Sequence, residues 1–339
     1  MLAMLIQSTS PSDLLFRMAV GCRNNQMVYV VAKLGVADLL VNRPVASSEL
    51  ASKLGVHARS LYRVMRALAA QGVFTQDSSN RFGLTPMSEL LRSDNPATMR
   101  HVAIFFGEEY YRAAGELLHT VKTGETAFDH VYGKGHFDYL GDHPEASRTF
   151  NAAMAWLSGR AENLLEKYGF KDGDVVVDVG GGRGGLIAHI LRSNPSLKGI
   201  LYDLPQGVAE AAARLKSEGV ADRCRIVTGS FFDSIPSGGD VYIVSRVLHD
   251  WPDEKAAIIL ANCHKAMATK GTLLVRDAVI PEGDTPHQGK QTDITMLFEV
   301  GGVERTEAEW RILLQQAKFV LKRVITTGQP FDLIEAKLA

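Results

Sequence analysis

Cysteine is scarce in this 339-residue chain: there are 3, at Cys22, Cys224 and Cys263. Their odd count, wide spacing and lack of any CxxC leave no disulfide framework and no thiolate metal site to read. A reducing, cytoplasmic setting fits that usage. Charge of one sign is not in surplus either. There are 37 Lys and Arg against 38 Asp and Glu, a formal net charge of −1. A general polyanion binder is expected to look basic, so no nucleic-acid partner is expected. No uninterrupted apolar run approaches the ~18 residues of a membrane span, so no membrane partner is expected. The opening MLAMLIQSTS has no basic stretch ahead of a long apolar one, and we read no signal peptide in it. Internal repeats and low-complexity segments are missing. What remains is ordinary globular composition, 46% hydrophobic and 22% charged, over a length that suits two domains of about 150 residues each.

The first part, residues 1–168, reads as mainly helical. Apolar residues of Val28–Leu40 share a helical face. Ser47 or Ser48 is placed to cap a short helix ending at Gly55, and a second helix is expected over Ala58–Gln71. The segment VFTQDSSNRFGLT then reads as a hairpin around a polar turn. Helix, turn, helix and hairpin is a winged-helix layout. In residues 169–339 the rhythm changes. Strand-like runs at Val175–Val179, Gly199–Tyr202, Arg225–Val227, Val241–Ser245 and Thr272–Val279 alternate with helical ones. Two further strand-like segments, Val320–Thr326 and Phe331–Ala336, follow a helix at Glu307–Ala317. Short buried strands between helices predict an α/β domain, a parallel sheet with helices on both faces.

In VVVDVGGGRGGL (Val175–Leu186) a buried strand runs into a glycine turn that opens a helix. Gly180, Gly182 and Gly185 satisfy GxGxxG, glycine being needed where backbone turns sharply and approaches a ligand. A nicotinamide dehydrogenase or a tight structural turn would also explain the glycines. Asp178 tilts the choice: opposite a diphosphate it repels, but it attracts an α-ammonium group. S-adenosylmethionine has an amino-acid end and no phosphate. Asp203, in GILYDLPQ at the end of the next strand, is placed to accept hydrogen bonds from two ribose hydroxyls; a turn or cap aspartate is the alternative.

The stretch VYIVSRVLHDWPDE (Val241–Glu254) places His249 on the loop after a parallel strand, on the same sheet edge as the glycines. Histidine is the usual general base near neutral pH. A phenol of reference pKa about 10 attacks a methyl carbon far better as the phenolate, and alignment supplies much of the remaining rate.

At these residues the chain resembles the S-adenosylmethionine-dependent O-methyltransferases of the caffeic-acid and hydroxyindole type, including bacterial members that act on antibiotic precursors. The matching segments are VVVDVGGGRGG, ILYDLP, GSFFDSIP, VLHDWPDE and GGVERTEAEW, in the expected order. The resemblance implies a Rossmann-like methyltransferase domain preceded by a winged-helix-like dimerisation domain, hence a homodimer. It implies that Gly180 and its neighbours line the methionine end of the cofactor, Asp203 holds the ribose, Ser230 and Phe231 flank the adenine, and Ser245 or Arg246 the far side. His249 becomes the catalytic base, with Asp277 and Glu304 the acids that orient it. Ser230 departs from the aspartate of many relatives. Asp277 departs from a glutamate, and its shorter reach leaves Glu304 to carry the contact. Met154, Trp156, Met296 and Phe298, in FNAAMAW and TMLFEV, match segments that touch the acceptor; Phe105 and Phe106 are candidates to cap that slot. Methionine and aromatic side chains make an adaptable flat slot, though ordinary core packing explains them equally.

Three other readings compete. Family members exist that keep the cofactor pocket but decarboxylate, hydroxylate or rearrange. A winged helix with Arg59, Arg63 and Arg66 at helical spacing suggests a DNA-binding regulator, although solvated helix charges are commoner. Finally, His130, His136 and His143 lie near Asp129, Asp138 and Asp142, but form no recognised ligand motif. They read as polar loop residues, and no metal is expected.

Overall fold

The structure, a computed structural model, describes residues 10–159, 168–326 and 331–339. Residues 1–9 of the stretch read for a signal peptide, MLAMLIQSTS, lie outside them. By internal contacts the chain forms two units that are discontinuous in sequence. One combines the residues up to Arg112 with Leu140–Trp156; the other combines Ala113–Tyr139 with those from Leu157 onward. The sequence reading placed a single boundary between 168 and 169. Helices Leu117–Thr123 and Ala127–Tyr132 tie Ala113–Tyr139 to the second unit by packing on helix Gln288–Glu299.

In the first unit the expected helix over Val28–Leu40 is two elements, helix Cys22–Lys33 and a 3-10 turn Ala37–Leu40. Gly35, at φ +68, breaks the run between them. Helix Ser47–Leu54 ends on left-handed Gly55 as expected, but its N-cap is Ala46 and neither serine caps it. Helix Ala58–Ala70 follows. Leu61, Met65 and Leu68 recur at helical spacing, and all three are buried in one core with Leu50, Phe74 and Phe82. The hairpin pairs β2 (Phe74–Gln76) with β3 (Arg81–Leu84). A strand not anticipated, β1 (Val45–Ala46), adds to the other side of β3.

The second unit is built on a seven-stranded sheet among the described residues, with strands β4 (Val175–Val179), β5 (Lys198–Asp203), β6 (Cys224–Thr228), β7 (Val241–Ser245), β8 (Thr272–Asp277), β9 (Phe319–Ile325) and β10 (Asp332–Leu338). Their order across the sheet is β6-β5-β4-β7-β8-β10-β9. The first five are parallel, and β10 is antiparallel to both its neighbours. Alternation along the buried strands splits the core in two. Val177, Val179, Val244 and Val275 pack with Ile259, Leu260, Trp310 and Leu313. Val176, Leu201, Ile243 and Leu274 pack with Ile187, Leu191 and Leu215. This gives helices on both faces, as the apolar strands required. The strand order reverses at β4, and the carboxyl ends of the strands at such a reversal are the place where open α/β sheets bind ligands.

Candidate active site

Residues that reach this sheet edge come from the ends of β4 to β8. Gly180, Gly182 and Gly184 all have positive φ, at +72, +53 and +74, which only glycine adopts without strain. A Cβ on Gly180 would lie 2.7 Å from Val247, and one on Gly181 2.4 Å from Leu201 and 2.5 Å from an Asp178 oxygen. The turn is thus pressed onto the strand ends. Among the described residues a Cβ on Gly182 would meet nothing within 4 Å. Beneath the turn Asp178 is buried, and among the described residues no side chain pairs with its carboxylate. Burial, and then the neighbouring Asp203, push its pKa up to about 7. Asp203 accepts from Gly182 N–H at 2.7 Å and from Leu204 N–H at 2.6 Å, so it braces the glycine loop. Burial raises its pKa too. Each carboxylate oxygen accepts more than one hydrogen bond, which leaves Asp203 capacity for hydroxyls.

After β6, the Ser230 hydroxyl accepts from Phe232 N–H at 3.2 Å, and Phe231 Cε1 lies 3.6 Å from the Gly180 Cβ position. Asn262, 6% exposed, donates to the carbonyls of Phe231 and Phe232 at 3.0 and 2.9 Å. That buried amide, which the sequence reading missed, fixes the loop. At the end of β7 the Ser245 hydroxyl accepts from Arg276 at 3.1 Å. Arg246 has φ +54 and sets its guanidinium 5.1 Å from the Phe331 ring centre.

His249 is 2% exposed. Its Nδ1 lies 2.7 Å from Glu304 Oε1 and 3.9 Å from Asp277 Oδ1, and its Nε2 lies 3.4 Å from Asp250 Oδ1. Burial works to discharge the ring. Asp277, Asp250 and Glu304 outweigh it and push the imidazole up to about 9. Burial raises Asp277 to about 7, although His249 draws it down. A neutral ring that donates Nδ1–H to Glu304 keeps its lone pair on Nε2, the arrangement a general base requires.

The acceptor candidates fall in different units. Met154 and Trp156 pack in the first with Phe105, Phe106, Tyr110 and Phe150. Met296 and Phe298 are 9% and 3% exposed in the second. Two histidines read as polar loop residues are instead packed. His130 stacks on His119 with ring centres 3.9 Å apart. His136, 4% exposed, lies 3.4 Å from buried Glu299. Burial lowers His136 to about 4 and raises Glu299 to about 8. The apolar contacts of His136 come through Phe128 and Phe137, a tertiary environment that spacing alone does not reveal.

A sheet with a glycine turn and an acid at the end of each of its first two strands defines a Rossmann-like nucleoside-binding enzyme. The comparisons specify which. The family model for an O-methyltransferase domain matches residues 115–320, and that for an O-methyltransferase dimerisation domain matches residues 16–94. The chain belongs to this O-methyltransferase family. A phenazine O-methyltransferase of Lysobacter antibioticus is 45% identical over 327 residues, 96% of each chain. An 8-amino-8-demethylriboflavin N,N-dimethyltransferase of Streptomyces davaonensis is 36% identical over 317 residues, 92% of this chain and 91% of that one. A crystal structure of an O-methyltransferase from neocarzinostatin biosynthesis, in complex with S-adenosylmethionine and 2-hydroxy-5-methyl naphthoic acid, superimposes with TM-score 0.85. It is 33% identical and covers 96% of this chain and 98% of its own. The protein is an S-adenosylmethionine-dependent methyltransferase. The residues present suit that cofactor: a buried carboxylate that no side chain among the described residues pairs with, for an ammonium, a glycine cradle, and an acid with spare acceptor capacity.

Proposed function

We propose that the enzyme methylates a hydroxyl oxygen of a small aromatic metabolite, with His249 as general base. The observation that carries this reading is the 2.7 Å contact between His249 Nδ1 and Glu304. It fixes the ring and leaves Nε2 to remove the hydroxyl proton. When bound, S-adenosylmethionine supplies an electrophilic methyl group. Asp178 and the Gly180–Gly182 turn receive its amino-acid end, Asp203 its ribose, Ser230 and Phe231 its adenine, and Ser245 and Arg246 border the far side. Met154 and Trp156 in the first unit, and Met296 and Phe298 in the second, are the candidates for contact with the acceptor. The acceptors of relatives support an aromatic substrate: phenazine for the Lysobacter enzyme and a hydroxynaphthoic acid for the neocarzinostatin one. We place the enzyme in the cytoplasm as a homodimer. Helix Pro11–Ala19 supports the dimer: it buries none of its residues, and Leu15, Phe16 and Met18 are 68%, 62% and 79% exposed. Among the described residues no helix is long and apolar enough to cross a membrane.

The test is calorimetric titration with S-adenosylhomocysteine, with NAD in parallel, then a screen of phenolic and arylamine acceptors against the wild type and His249→Ala. Saturable binding of the first ligand alone, and phenol methylation lost in the variant, support the reading. Phenol methylation that survives His249→Ala overturns the base. Exclusive arylamine methylation overturns the oxygen acceptor.

A further inference from the structure

Arg305 is 1% exposed and among the largest fully buried side chains of the molecule. A buried guanidinium is unfavourable unless every N–H finds an acceptor. Here it makes four hydrogen bonds and an ion pair. Nε donates to Asp253 Oδ1 at 2.9 Å, one terminal nitrogen to Leu248 O and Val303 O at 3.2 Å each, and the other to Trp251 O at 3.0 Å, with Asp253 also 2.8 Å from that last nitrogen as its ion-pair partner. The ring of Trp310 stacks beneath at 5.2 Å. Leu248 and Trp251 are the carbonyls on either side of the His249-Asp250 step, and Asp253 begins the helix that follows. The intervening carbonyl, His249 O, accepts from Val303 N–H at 2.9 Å. Chain alternation completes the device: Glu304 turns to the imidazole while Arg305 turns to the loop that carries it.

We propose that Arg305 is a positioning residue for the methyl transfer, a clamp that fixes the backbone of His249 so that Nε2 meets the acceptor proton. The inference rests on His249 being the base. A lysine keeps the charge but cannot span acceptors lying in three directions. A misplacement of ~1 Å at a reacting group can cost about 100-fold in rate.

The experiment measures kcat, acceptor KM, S-adenosylhomocysteine affinity and thermal midpoint for Arg305→Lys, Arg305→Met and Asp253→Asn, then repeats Arg305→Lys in a His249→Ala background. The clamp predicts kcat falling ~10-fold in R305K and about 100-fold in R305M, with cofactor-product affinity within about twofold. In the His249→Ala background R305K removes nothing further, because residues acting through one group are not additive. If R305M does not fold, R305K and the exposed-side D253N carry the test. A kcat within about twofold of wild type in R305K and D253N, or an equal loss with and without His249, overturns the clamp. Undiminished turnover of His249→Ala alone overturns the base reading instead.

Discussion

Glu304 lies 2.7 Å from His249 Nδ1, whereas Asp277 lies 3.9 Å from the same atom. Glu304 therefore makes the hydrogen bond, and Asp277 acts on the ring through its field. The two substitutions should separate these effects. Glu304→Gln removes the charged partner that orients the ring, so its plateau kcat should fall about 100-fold, within the range that general-base catalysis contributes. Asp277→Asn should keep its plateau kcat within a few-fold, on the order of 1 kcal/mol or less. Equal losses at the plateau would contradict the division of labour.

The pH profile follows from the same cluster. Three acids hold the His249 imidazole at about 9, and only the neutral ring accepts a proton. The rate should thus rise with pH toward about 9 rather than level off near the 6.5 of a free histidine. Deleting one negative neighbour destabilises the imidazolium, so Asp277→Asn should move the acid limb to lower pH. Initial rates in buffers of constant ionic strength give the limb directly. A limb that stays put, or moves to higher pH, would show that Asp277 does not face the titrating base as a charge.

Gly302 is pressed against the same His249–Asp250 backbone. A Cβ there would stand 2.0 Å from His249 O and 2.6 Å from the Asp250 carbonyl carbon. Both are backbone atoms and cannot swing aside. Gly302→Ala should cost ~1–3 kcal/mol of stability through overpacking and displace the His249 carbonyl. Turnover should drop with it while S-adenosylhomocysteine affinity holds. A variant with wild-type melting and turnover would mean that the Gly302–Arg305 segment adapts freely.

The order of the sheet edge was legible because each element carries its own local signal. The run Val175–Val179 has to be buried, the glycines after it have to turn, and His249 follows a strand that ends beside them. Local pattern also placed the hairpin and the Gly55 stop. It failed where tertiary contact decides. Gly35 splits what periodicity joined into one helix, and β1 is only two residues long and exists because β3 is there to pair with it. His136 is polar by type yet packed against Phe128 and Glu299. Asn262 and Arg305 carry no motif of their own. Their roles come from backbone carbonyls distant in sequence, which no spacing rule encodes. One signal was present for Arg305: it adjoins Glu304 in an extended segment, where successive side chains face opposite ways.

Asp203 bears two duties, and they can be told apart. Its carboxylate holds the Gly182 N–H at 2.7 Å, and in the reading above it also takes the ribose hydroxyls. Asp203→Asn keeps an acceptor oxygen for the loop but loses the charge and half of the acceptor capacity. S-adenosylhomocysteine affinity should fall at least ~10-fold, equivalent to about 1.4 kcal/mol, while the thermal midpoint of the unliganded enzyme changes little. Wild-type affinity would remove Asp203 from the cofactor site. A large loss of unliganded stability would mean that bracing the glycine loop is its principal role.

The first unit supplies the last prediction. Helix Pro11–Ala19 is firmly capped: Ser10 and Asp13 form a capping box, and Pro11 opens the first turn. It is a well-formed helix with no core of its own. Its exposed Leu14, Leu15, Phe16 and Met18 are the kind of apolar surface that a second subunit covers, and the dimerisation-domain match begins within it, at residue 16. Leu15→Asp with Phe16→Asp places two charges on that face. Sedimentation velocity should then show a monomer where the wild type sediments as a dimer. The first unit's own core, centred on Leu50, Met65 and Phe82, lies apart from the changed residues, so its folding should survive. A double variant that remains dimeric would place the subunit contact elsewhere. A wild type that stays monomeric across concentrations would refute the dimer itself.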